Sequence, residues 1–143
     1  MRIFVGALAV ALLAGCGTTP VSSTDASPVP EQRLLARQSA VKDGGTLVVT
    51  RDNGWTAGGG CYVALLLDGQ VAARIGTGEV ARLQVSPGRH LIGISGDSEG
   101  AGLCGLQIGQ PTKETSLELK PGELQRYRIS GDTNGLDLRP TSL

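Results

Sequence analysis

Tyr62-Val63-Ala64-Leu65-Leu66-Leu67-Asp68-Gly69-Gln70-Val71-Ala72-Ala73-Arg74-Ile75 sets two apolar runs on either side of an Asp-Gly pair. Asp-Gly supplies the positive φ angles that a two-residue type I′ turn needs, so the stretch predicts a β-hairpin. Working outward, the same punctuation of short apolar runs by Gly and Pro recurs at Thr46–Thr50, Val80–Val85, His90–Ser95, Thr115–Leu119, Gln125–Ile129 and Leu136–Leu138. Eight short strands at this spacing predict an all-β fold, a small sandwich of antiparallel strands over residues 45–143. Ser116–Lys120 and Arg126–Ile129 alternate cleanly between polar and apolar residues, which predicts strands with one face in water.

Two further turns share one chemistry. Val85-Ser86-Pro87-Gly88 and Leu119-Lys120-Pro121-Gly122 each lead through a strand to Ile-Ser-Gly-Asp, at Ile94–Asp97 and Ile129–Asp132. Pro fixes φ at the first central position of a type II turn and Gly permits the positive φ of the second. The echo reads as recurrent hairpin chemistry in preference to an internal duplication.

Upstream of the sandwich, Leu34, Leu35, Gln38 and Val41 recur near helical spacing behind Pro30. They predict a short amphipathic helix and linker over residues 31–44. Residues 16–30 are Thr, Ser and Pro with little apolar content, the composition of a flexible tether.

The amino terminus carries an address. Arg2 is followed by an uncharged apolar run, Ile3–Leu13, too short to cross a hydrocarbon core, so residues 1–15 predict a signal peptide. Leu13-Ala14-Gly15-Cys16 resembles the lipobox of bacterial lipoproteins at all four positions. That resemblance implies cleavage before Cys16, acyl chains on its sulfur and a lipid bilayer as first partner. Gly17 after the cysteine implies outer-membrane sorting, with the domain on the periplasmic face or at the cell surface. An ordinary signal peptide with a cysteine beside the cut is the alternative.

Composition narrows the partners. Loss of Arg2 leaves the mature chain one acidic residue in excess, so no positive field draws it to nucleic acid. Trp55, Tyr62 and Tyr127 are its only aromatic residues, too few for a stacking platform. Of three cysteines, Cys16 belongs to the lipid, leaving the even pair Cys61 and Cys104 in an oxidising compartment. They are predicted to form a disulfide; a reactive pair would call for C-x-x-C spacing or a flanking base.

The segment from Tyr62 to Ser95, with Asp68-Gly69, Gly76-Thr77-Gly78 and Pro87-Gly88-Arg89-His90, is similar to PEGA-type envelope repeats. Extended through Leu117–Glu123 and the strand that follows, it also resembles the small bacterial lipoproteins of the DUF2846 family. What this implies is a periplasmic β-sandwich with no established activity. The cysteine pair and Gly58-Gly59-Gly60 lie outside that pattern.

Few residues suggest chemistry. His90, the single histidine, begins a strand, and a base or metal ligand needs partners beside it. Gly58-Gly59-Gly60 leads into a strand, whereas phosphate loops open helices, so it reads as a bulged entry. Asp97 and Glu99, with Asp132, Asn134 and Asp137, offer oxygen ligands for Ca²⁺ in two loops but lack a calcium-loop spacing. No hydrolase elbow, zinc signature or Walker loop occurs, and no cofactor is expected.

The functional expectation is a non-enzymatic envelope lipoprotein whose β domain binds an envelope protein or cell-wall material. An inhibitor of a hydrolase such as lysozyme or a protease, with Trp55–Cys61 as the plug, is the second reading. An enzyme using His90 is the third.

Overall fold

Branched apolar residues concentrate in short runs, and each run becomes a strand. The computed structural model describes residues 17–54, 60–106 and 111–143. In chain order the strands are β1 (Ser27–Pro28), β2 (Gly45–Arg51), β3 (Val63–Leu67), β4 (Gln70–Ile75), β5 (Glu79–Val85), β6 (Gly88–Gly96), β7 (Lys113–Leu119), β8 (Leu124–Asp132) and β9 (Gly135–Pro140). They form a five-stranded sheet, β1-β5-β2-β8-β9, and a four-stranded sheet, β4-β3-β6-β7. The expected all-β, two-sheet sandwich is therefore present, with β2 to β9 standing where the eight apolar runs were read.

Alternation sets the core. Leu47 and Val49 of β2, Leu83 and Val85 of β5, Leu65 and Leu67 of β3 and Ile92 of β6 are fully buried in one cluster between the sheets. Each such side chain contributes about 1.5–3 kcal/mol. Asp68 (φ +51°) and Gly69 (φ +77°) form the predicted I′ turn, pairing Leu67 with Gln70.

Pairing departs from expectation in two ways. β2 runs parallel to β8, with Thr46 opposite Leu124 and Arg51 opposite Ile129, and β1 runs parallel to β5, so the larger sheet is mixed. The Pro-Gly turns do not close hairpins: Ser86-Pro87 carries the chain from β5 in the larger sheet to β6 in the smaller, and Lys120–Glu123 carries it back from β7 to β8. The same turn residues suit both tasks, because they reverse the chain without dictating which strand receives the next run.

The expected helix over 31–44 is corrected to one 3-10 turn, Glu31–Arg33. Beyond it the chain is extended: Leu34 bridges Ala73, the Leu35 amide donates to the Ala72 carbonyl at 2.8 Å, and the Arg37 carbonyl accepts from the Gln84 amide at 2.7 Å. Leu34 and Ala36 pack on the core while Leu35 is exposed, a period of two. Backbone bonds to the open edges of β4 and β5 outweigh a weak helical pattern.

The expected flexible tether is also corrected for residues 17–30. The Thr18 amide donates to the Gly131 carbonyl at 3.0 Å, Thr19 bridges Asn53, and the Val29 amide donates to the Val80 carbonyl at 3.0 Å. Ala26 and Val21 pack on Val48 and Val80, the outward residues of β2 and β5. This strap covers the outer face of the larger sheet. A few apolar residues and a row of backbone bonds suffice to order a segment that composition assigned to solvent.

Candidate functional site

The carboxyl ends of β2, β4 and β6 and the amino ends of β3 and β5 meet at one end of the sandwich. Inward alternation along β2 runs Leu47, Val49, Arg51, and the Arg51 side chain is 2% exposed. Its guanidinium donates to the carbonyls of Cys61 and Ile75, both at 2.8 Å. Burial pushes this group down to about 10, and the charge of Glu79 works against that. A buried cation needs such a counter-charge.

Glu79 opens β5 and is fixed from two sides. Arg33 grips it with two bonds, of 2.7 and 2.6 Å, and the Gly76 amide donates to it at 2.6 Å. Burial works against the carboxylate, but the bonds from Arg33 and Gly76 and the charges of Arg33 and Arg51 hold it below the ordinary glutamate range. Arg33 also lies over the Tyr62 ring, 4.0 Å from its centroid, and Arg74 stands at 5.3 Å. Arg74 in turn binds Asp97 through two bonds of 2.9 and 2.7 Å. Beside this array lies a groove of about 320 Å³ bordered by Leu35, Ala64, Val71, Arg74, Asp97 and Glu99.

The disulfide closes the same end. Cys61 and Cys104 are bonded with their Cα atoms 5.4 Å apart, as expected from the even pair. It ties the 3-10 turn Gly102–Leu106 to the start of β3. Among the described residues of this cluster, Arg33 pairs with Glu79 and Arg74 with Asp97, and Glu79 supplies the charge opposite Arg51.

Of the sequence-derived candidates, Asp97 and Glu99 border this groove, and His90 lies elsewhere. At the opposite end, His90 Nδ1 is 2.7 Å from Asp68 Oδ2, and Nε2 is 2.8 Å from the Ser86 carbonyl and 3.4 Å from its hydroxyl. Asp, His and Ser thus come together, with Nε2 closer to the Ser86 carbonyl than to its hydroxyl. The His90–Asp68 contact braces the Asp68-Gly69 turn, where the Leu91 amide also donates to Asp68 at 2.9 Å.

Asp97 is held by Arg74, Asp137 pairs with Arg139, and Asp132 accepts from the Asn134 amide at 2.7 Å. The backbone of Glu99 completes an Asx-type turn on Asp97. Among the described residues no three His, Cys, Asp or Glu side chains gather where a metal ion would sit. Cys16, Trp55 and Gly58-Gly59 lie outside the described residues. Sequence reading missed Arg33, Arg51 and Glu79; for Arg51 and Glu79 the available signal was a charged residue in the inward register of an apolar strand, whereas Arg33 lies on the 3-10 turn and offered none.

Asp68 yields a test. Burial opposes its charge, yet bonds from His90 and Leu91 and the charges of His90 and Arg37 keep its carboxyl below the ordinary 3.8. A depressed carboxylate contributes stability that is present above the unfolded value and lost as pH falls through the folded one. Asp68→Asn keeps a residue that tolerates φ > 0 and removes the charge. Because the Asp68 side chain is 37% exposed, the expected loss at neutral pH is only about 0.5–1 kcal/mol. In urea titrations the gap to wild type narrows from about pH 4 downward; an equal gap at pH 7 and pH 3 would refute the assignment.

In comparison with known proteins, no family model matches the chain and no curated protein matches it.

Proposed function

We propose that the protein is a bacterial envelope lipoprotein, anchored through acylated Cys16, whose sandwich acts by binding and not by covalent chemistry. The observation that carries this reading is Leu13-Ala14-Gly15-Cys16, which follows an apolar run behind a single positive charge. One structural fact supports it: Cys61 and Cys104 form a disulfide, a bond that persists in oxidising compartments. The binding role draws support from the platform of Arg33, Tyr62 and Arg74 beside the groove, a rigid surface whose charges are already satisfied.

The test is metabolic labelling with a fatty-acid probe in a bacterial host. The full chain is expected to take up label and sediment with membranes. Cys16→Ser is expected to lose the label and to appear in the soluble fraction. An unlabelled wild-type chain, or a Cys16→Ser chain equally retained on membranes, would reject the anchor.

A further inference from the structure

The ordered domain takes hold at Thr18, two residues beyond Cys16. Thr18 is pinned to Gly131 by two bonds, its amide donating to the Gly131 carbonyl at 3.0 Å and its hydroxyl accepting from the Gly131 amide at 2.9 Å. The same hydroxyl donates to Asp52 at 2.7 Å, and Asp52, 1% exposed, is gripped by Arg128 through bonds of 2.8 and 2.7 Å. Two residues of extended chain reach about 7 Å. The polar interface of a bilayer is about 5–8 Å deep on each side. A chain acylated at Cys16 therefore has no slack to hold the domain away from the headgroups, and the end that carries Thr18 must face them.

That end is identifiable from the strand directions. Asp52 follows the carboxyl end of β2 and Gly131 lies near the carboxyl end of β8, which runs parallel to β2. Arg51 reaches from there to the carbonyls of Cys61 and Ile75, so the start of β3 and the end of β4 are at the same end. The disulfide then brings the 3-10 turn Gly102–Leu106 to it. On this turn Leu103 is 78% exposed and Leu106 64% exposed, the two most exposed of the large apolar side chains described. The arginines around them are already bound to carboxylates: Arg33 to Glu79, Arg74 to Asp97, Arg128 to Asp52. Among the described residues, these three arginines leave no free positive charge that would call for anionic lipid.

We infer that the disulfide end of the sandwich lies against the bilayer that holds Cys16, with Leu103 and Leu106 seated in the phospholipid interface. The inference rests on the anchor reading above and adds an orientation to it. The short link fixes which end approaches, and exposed leucines on a cross-linked turn are the groups a headgroup–acyl boundary accepts. The Asp68-Gly69 and Lys120–Glu123 end, with Leu124 beside it, then points away from the membrane.

The experiment uses the full acylated chain reconstituted in phosphatidylcholine vesicles whose acyl chains carry bromine. Tryptophan is placed singly, as Leu103→Trp, Leu106→Trp or Leu124→Trp, in a Trp55→Phe background. Emission from the first two is expected to fall about twofold on bromolipid, as for a side chain at the headgroup–acyl boundary. Emission from the third is expected to stay unchanged. Hydrogen exchange of the unsubstituted chain gives a second readout, with residues 102–106 protected on vesicles relative to the Cys16→Ser chain in solution. Acylated protein in which Leu124→Trp is quenched as strongly as Leu103→Trp, or in which neither loop position is quenched and 102–106 gain no protection, overturns the orientation and leaves the anchor intact. A chain that takes up no fatty-acid probe overturns both.

Discussion

Replacing Cys61 and Cys104 together by alanine is expected to lower stability by about 4 kcal/mol, the chain-entropy value for a cross-link spanning 43 residues. For a domain of this size the midpoint should fall by about 12 °C or more. The bond does two things in the fold. It shortens the unfolded chain, and it holds the turn Gly102–Leu106 to the start of β3, whose Cys61 carbonyl accepts from Arg51. Equilibrium urea unfolding of the full chain measures the loss, and wild type in reductant should match the double variant. A change below about 1 kcal/mol would mean that the cross-link constrains little that the rest of the fold does not already constrain.

Glu79→Gln is expected to cost about 2–4 kcal/mol, because it keeps the size of the side chain but leaves Arg51 without the one charge that offsets its burial. The loss should depend on pH in a defined direction. Glu79 is held below 4.5 in the folded protein, so its contribution is complete above that value and disappears as pH falls through the folded one. Wild type and variant should therefore converge in acid. Arg51→Met in the same background separates the causes: if the cost arises from the stranded cation, the double variant is more stable than Glu79→Gln alone. A double variant whose loss equals the sum of the two single losses would show that the two side chains act independently.

Strand positions were legible because they are local. Runs such as Val63–Leu67 and Glu79–Val85 are bounded by Gly, Pro or Asp, and hairpin chemistry at Asp68-Gly69 needs only two residues to declare itself. The cysteine pair was legible from parity. What the chain conceals is which sheet receives each strand, since Ser86-Pro87 and Lys120–Glu123 serve as arches between layers with residues that also suit hairpins. The strap over residues 17–30 was hidden for a different reason. Its hold comes mostly from backbone bonds to Gly131, Asn53 and Val80, and amides carry no sequence signature. The cluster around Arg51 was missed because its partners, Arg33, Glu79 and Cys61, are scattered along the chain and converge only when two sheets and an edge segment are in place.

The central place of β2, flanked by β5 and by the parallel β8, bears on how the protein is made. Thr46 waits for Leu124, and Thr18 waits for Gly131, so the first segments to be synthesised find their partners among the last. Contacts this distant in the chain give a high contact order, and such folds form in milliseconds to seconds. Until β8 and β9 emerge the larger sheet cannot be completed, although every strand of the smaller one, β3, β4, β6 and β7, has already been made, so the sandwich closes only when nearly all of the chain has been released.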